Sequence, residues 1–120
     1  MTHANVHRIE IEPNSHRLRV IHGGITIADT VQGVTLREAG LPEVFYFPRK
    51  DVNMARLERS DYTTHCPFKG AACHFHLRTE DNGLVENAAW SYEDPLEQVG
   101  QIKAYLAFYA SRVDRIFQTS

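Results

Sequence analysis

Five consecutive residues, Cys66-Pro67-Phe68-Lys69-Gly70, hold the densest chemistry in the sequence. Pro67 fixes its φ and Gly70 tolerates a positive one, so a turn built this way can aim main-chain amides and the Lys69 ammonium at one anion. Arg49 would add a second cation and Tyr46 a hydrogen-bonding wall. A structural turn whose lysine reaches solvent, or pairs with Asp51, accounts for the same residues without a ligand. Cys66 also admits a role as nucleophile, with Lys69 and His65 nearby to favour its thiolate. Neighbours on an extended chain point opposite ways, which leaves His65 badly placed as a base, and a small buried hydrophobe is the plain alternative for Cys66.

The carboxylates Asp29, Glu38 and Asp51 fall at strand or helix boundaries, where a rigid sheet can present an acid or base. A helix cap explains Asp51 and a solvated strand end explains Glu38 without chemistry. Asp29 follows Ile27-Ala28 and is harder to explain as surface, so it joins Cys66 and Lys69 as a catalytic candidate. His74 and His76 would share one face of a strand, and with Cys66 they form a metal-binding alternative. Cys66 and Cys73 are spaced C-x6-C and lack paired C-x2-C knuckles, so no metal is expected and solvent-facing histidines are the simpler reading. Trp90, Tyr92, Phe108 and Tyr109 make either an aromatic wall for a base or sugar ring, or part of the core.

The elements that must position these groups are mostly strands. Ile9 and Ile11 alternate with charged neighbours before Pro13, and a second strand runs from Arg17 to Ile21. Gly23-Gly24 then supplies the positive φ of a tight hairpin into Ile25 and Ile27. With Val34 to Glu38 after Gln32-Gly33, the first third has the pattern of a meander. Val44 to Phe47 is a short strand stopped at a sheet edge by Pro48. Asp51 followed by Met54 and Leu57 predicts a short helix over Val52 to Glu58. Ala71 to Leu77 and Leu84 to Ala88 flank Asp81-Asn82-Gly83 as a second hairpin with a longer loop. Residues 102–110 fit either a helical face or alternation, and strand is the reading adopted.

Several phrases occur together in order: Ile27-Ala28-Asp29, Phe45-Tyr46-Phe47-Pro48, Asp51-Val52, Cys66 to Gly70, Ala89-Trp90-Ser91-Tyr92 and Ala107-Phe108-Tyr109. From about Arg17 to Phe117 the chain resembles a family of bacterial and fungal proteins catalogued as domain of unknown function 427. The resemblance implies a mainly β, two-sheet fold and carries a nucleotidyltransferase-type label. Nothing in the chain matches the paired carboxylates that hold magnesium in a well-known nucleotidyltransferase, or a Gly-rich phosphate loop ending in Gly-Lys-Ser/Thr, and no cofactor is expected.

At 120 residues, 42% hydrophobic and 23% charged, the chain can bury a core as one domain, with residues 1–8 expected to be flexible. A net charge of -2 argues against bulk nucleic-acid binding, and no apolar run is long enough for a membrane span or signal peptide. Two cysteines in a chain of this size suit a reducing compartment, so a cytoplasmic location is expected. The expected architecture is mainly β: a compact two-sheet antiparallel domain, β-tent or sandwich-like, with one short helix. The expected function is binding of a small anionic ligand, nucleotides included, between the sheets by Glu38, Tyr46, Arg49, Asp51, Lys69 and Trp90, with transferase-type chemistry open. The alternative is a non-catalytic interaction module or metal-stabilised β domain, with a sheet edge or homodimer face as its working surface.

Overall fold

A computed structural model of the chain describes residues 8–120, so the expectation of flexibility at 1–8 lies almost wholly outside the described residues. The chain runs β1 (Ile9–Asn14), β2 (Arg17–His22), β3 (Ile25–Thr30), β4 (Gly33–Glu38), β5 (Val44–Tyr46), β6 (Leu57–Cys66), β7 (Gly70–Arg78), β8 (Leu84–Ser91), β9 (Leu106–Phe108) and β10 (Arg115–Thr119). It is a mainly β antiparallel domain, as expected, but among the described residues the strands form three sheets rather than two. Their orders are β1-β4-β5, β10-β2-β3 and β6-β7-β8-β9.

The four-stranded sheet uses both of its faces, which is why two layers do not describe it. Phe75 and Leu77 of β7, with Leu106 and Phe108 of β9, pack into one core with Leu18, Val20 and Ile27 of the β2–β3 hairpin. Ala72 and Ala107, from the opposite faces of the same strands, enter a second core with Val34, Leu36 and Tyr46 of the β4–β5 pair. Strand alternation delivers this division directly, because successive side chains leave a strand on opposite sides. Two isolated bridges stitch the sheets together, Phe47 to Leu106 and Ala28 to Val52.

The Gly23-Gly24 hairpin forms as expected, with His22 opposite Ile25 and φ of 59° and 76° at the two glycines. The second hairpin and the strand over 106–108 also form, although a 3-10 segment, Glu97–Ile102, precedes the latter. The first third is not a meander. β1 skips its neighbour to pair with β4, while β2 pairs with β3 and β10. Gly33 explains part of this closure: a Cβ there would stand 2.7 Å from Leu18 Cδ1 and 3.1 Å from the Tyr46 carbonyl oxygen, so only a bare Cα lets β4 start so close to the core.

The helix expected over Val52 to Glu58 is replaced by two three-residue 3-10 turns, Arg49–Asp51 and Met54–Arg56, and by the start of β6. Buried Val52 bridges Ala28, and the Asn53 amide donates to the Ile27 carbonyl at 2.8 Å, so pairing with β3 outcompetes local helix formation. β6 itself escapes the sequence pattern because most of its ten residues are exposed and it leans on β7 alone. No helix among the described residues is long and apolar enough to cross a membrane.

Candidate functional site

The β6–β7 hairpin closes at Cys66 opposite Gly70, and the Lys69 amide donates to the Cys66 carbonyl at 3.2 Å. The loop folds inward. The Lys69 side chain is only 11% exposed, and its Nζ donates to Glu38 Oε1 at 2.7 Å, reaching from this loop to the end of β4. Buried Tyr46 lies close by, with Trp90 Nε1 donating to its hydroxyl at 3.3 Å and the two rings edge-to-face at 6.2 Å. Burial raises the Tyr46 hydroxyl far above its ordinary range, against the pull of the Trp90 hydrogen bond, and the charges of Glu38 and Cys66 add to the rise. Tyr92 is pushed up to about 12, first by burial and then by Cys66 and neighbouring charges. Glu38, Tyr46, Cys66, Lys69 and Trp90 thus lie near one another, but the ammonium faces a carboxylate rather than an open anion site.

The structure does not bring Arg49 to this group. Its guanidinium donates to the Ala104 carbonyl at 2.9 Å, to Ser91 Oγ at 3.1 Å and to Glu93 at 3.1 Å, and it lies over the ring of Phe75 on the other face of the sheet. Arg59 joins it on the same Glu93 oxygen at 2.7 Å. These contacts tie the segment after β8 to the sheet, and the Arg59 hydrogen bond is the main reason the Glu93 carboxyl is held below its usual range. Asp51 does not cap a helix; its Oδ2 accepts from the Thr30 hydroxyl at 2.7 Å. Asp29 sits on β3, in a different sheet from Glu38 and Trp90, with its two oxygens gripped by Arg17 at 3.0 and 2.7 Å. That fork-to-fork pair accounts for an acid after Ile27-Ala28: it is a surface ion pair across β2 and β3, and Arg17 lowers its carboxyl.

A different set of side chains leaves polar capacity unused. Tyr62, His74, Asn87, Tyr109, Ser111 and Arg112 line a cleft of about 290 Å³. His74 pairs across strands with Trp90, which puts both on the same face of the sheet. Its Nε2 is 3.1 Å from the Tyr109 hydroxyl, and its ring stacks nearly parallel to Tyr109 at 6.1 Å and meets Tyr62 edge-on at 4.8 Å. Trp90 backs Tyr109 at 4.4 Å. Burial lowers the His74 imidazolium below its ordinary range, while main-chain groups of Tyr62 and Ala72 partly oppose this, so the ring is neutral near pH 7. Neither His74 Nδ1 nor Asn87 Oδ1 has a well-formed hydrogen bond, although both atoms are buried. Asn87 also holds φ at 48°, a left-handed conformation that asparagine accepts more readily than most residues.

The histidine pair weighed as a metal-binding alternative turns to separate partners, His76 Nδ1 accepting from the Asn87 amide at 3.0 Å and His74 facing Tyr109, and His74 is buried rather than solvent-facing because it packs between Tyr62 and Tyr109. Among the described residues no three His, Cys, Asp or Glu side chains lie together as a metal site. Sequence reasoning named Tyr109 and Trp90 as an aromatic wall but passed over Tyr62, Asn87, Ser111 and Arg112. Tyr62 was hidden because β6 carries a register shift between Arg59 and Thr63, which erases its alternation.

No curated protein matches the chain. Residues 10–119 match the family described as a domain of unknown function, DUF427, a span that contains the whole of the resemblance first seen from Arg17 to Phe117, and the chain belongs to that family.

Proposed function

We propose that the domain binds a small planar anionic molecule, with mononucleotides as the leading class, in the cleft beside His74. The observation that carries this reading is the coincidence of two buried polar atoms without well-formed hydrogen bonds, His74 Nδ1 and Asn87 Oδ1, in one aromatic-walled cleft. Buried polar groups are well bonded almost everywhere in folded proteins, so two poorly bonded ones beside one cleft support a ligand site there. Tyr62 is 52% exposed and Tyr109 37%, so a flat ring can slide against them, and base-on-aromatic stacking is worth about 1–3 kcal/mol. Arg112 gives one N–H to the Glu86 carbonyl at 3.0 Å and keeps other donors for a phosphate or carboxylate at the rim. Tyr109 and His74 provide an acid–base pair that burial keeps uncharged, suited to hydrogen bonding with a base edge. The volume, about 290 Å³, is at the low end for small-ligand sites and fits a base with part of its sugar.

Isothermal titration with adenosine monophosphate, adenosine and ribose 5-phosphate tests this. The monophosphate should bind tightest, Tyr62→Ala should weaken it at least tenfold, and Arg112→Gln should remove its advantage over adenosine. If none of the three compounds binds, or binding ignores both substitutions, the cleft is not a nucleotide site.

A further inference from the structure

A second cavity of about 510 Å³ lies between the tip of the β2–β3 hairpin and the loop joining β7 to β8. Ile25, Ile27 and Leu84 give it an apolar lining, and Leu84 is 44% exposed, an aliphatic side chain left open to solvent. The charges around it are compensated unequally. Arg78 is paired with Glu58 at 2.7 Å. Asp81 accepts from the Thr79 hydroxyl and from the Gly83 amide, and the Thr79 bond chiefly holds its carboxyl below the usual range. Arg56 and Glu80 are different: neither side chain makes a hydrogen bond or ion pair with any described residue, or with the other. Arg56 is half-buried as a residue, and its guanidinium keeps all of its donors for a ligand. His22 Nδ1, buried without a hydrogen-bond partner and 3.6 Å from the Asp114 carboxylate, belongs to the same lining.

One cation and one exposed carboxylate without protein partners, set beside an aliphatic floor, suit a ligand with the complementary three parts. We propose that this cavity binds a small zwitterion with an aliphatic side chain, an aliphatic α-amino acid being the simplest. Its carboxylate docks on the Arg56 guanidinium, whose planar fork matches two carboxylate oxygens. Its ammonium sits by Glu80, and its side chain covers Ile25, Ile27 and Leu84. The site shares no residue with the aromatic cleft and does not rest on the mononucleotide reading.

The test is calorimetric titration of the full chain with leucine, 4-methylpentanoate, 3-methylbutylamine and glycine, which delete in turn nothing, the ammonium, the carboxylate and the tail. Leucine should bind at least tenfold more tightly than each of the other three. Arg56→Gln should bring leucine down to the level of the amine, and Glu80→Gln, at an exposed position, should bring it down to the level of the acid. Tyr62→Ala should leave leucine binding intact. The proposal is overturned if leucine does not bind, if any of the three analogues matches it, if neither charge substitution weakens it, or if Tyr62→Ala abolishes it.

Discussion

Two polar clusters on the four-stranded sheet are built from similar residues and end in opposite states. Beside the β6–β7 turn, the Lys69 ammonium meets Glu38 and the Trp90 indole meets the Tyr46 hydroxyl, with packed aromatic rings around them. Beside His74, a ring nitrogen and an amide oxygen are buried without well-formed hydrogen bonds, and two tyrosines remain open to solvent. The richer motif is consumed in holding a loop to the sheet. The poorer one has more left to offer, since its ring nitrogen and amide oxygen are poorly bonded and its two tyrosines stay open to solvent. Chemistry-bearing residues therefore point to a site only after their internal partners have been counted.

Lys69→Ala should have the largest effect on this contrast. Removing the cation from a buried pair should cost about 3–5 kcal/mol in urea unfolding, with mononucleotide affinity of the folded protein unchanged. A fully stable variant that no longer binds would move the ligand site back to the Cys66–Gly70 turn. Tyr109→Phe takes the hydroxyl from His74 Nε2, and leaving that nitrogen unmatched should cost about 1–3 kcal/mol by the same assay. Tyr46→Phe on the other side deletes the acceptor of a long 3.3 Å bond and should cost about 1 kcal/mol.

The two clusters should also separate by pH. His74 holds its proton less well in the folded chain than at its ordinary value of 6.5, so the unfolded chain takes up a proton that the folded one refuses. Stability present above about pH 6.5 is therefore lost as the pH falls below it, and His74→Gln should flatten that part of the melting-temperature profile between pH 8 and 5. An unchanged slope in the variant would mean that His74 charges freely. Tyr62→Ala should perturb the fold least, by under about 0.5 kcal/mol, while weakening mononucleotide binding at least tenfold. Loss of stability without loss of binding would make Tyr62 a packing residue.

Much of the local structure was legible from residue order. The Gly23-Gly24 hairpin, the β7–β8 pair around Asp81-Asn82-Gly83 and the halt of β5 before Pro48 all depend on φ preferences and alternation within a few residues. The helix over Val52 to Glu58 failed because its support was a three-residue spacing, weaker than the bridge from Val52 to Ala28 some two dozen positions away. Asp29 looked unusual beside Ile27-Ala28 because its partner, Arg17, lies across the hairpin and not along the chain. The neutralisation of Lys69 by Glu38 was not legible in the sequence, and the separation of Arg49 onto the opposite face of the sheet had no sequence signal at all.

By itself, the order of residues determined the mainly β class, the tight turns and the family, because these rest on short-range backbone preferences and on an ordered set of phrases. Only the tertiary structure decided which polar groups cancel one another and which are left over. That balance depends on side chains brought together from distant strands, such as Lys69 with Glu38 or His74 with Tyr109, and on how much water each pair loses when the sheets close.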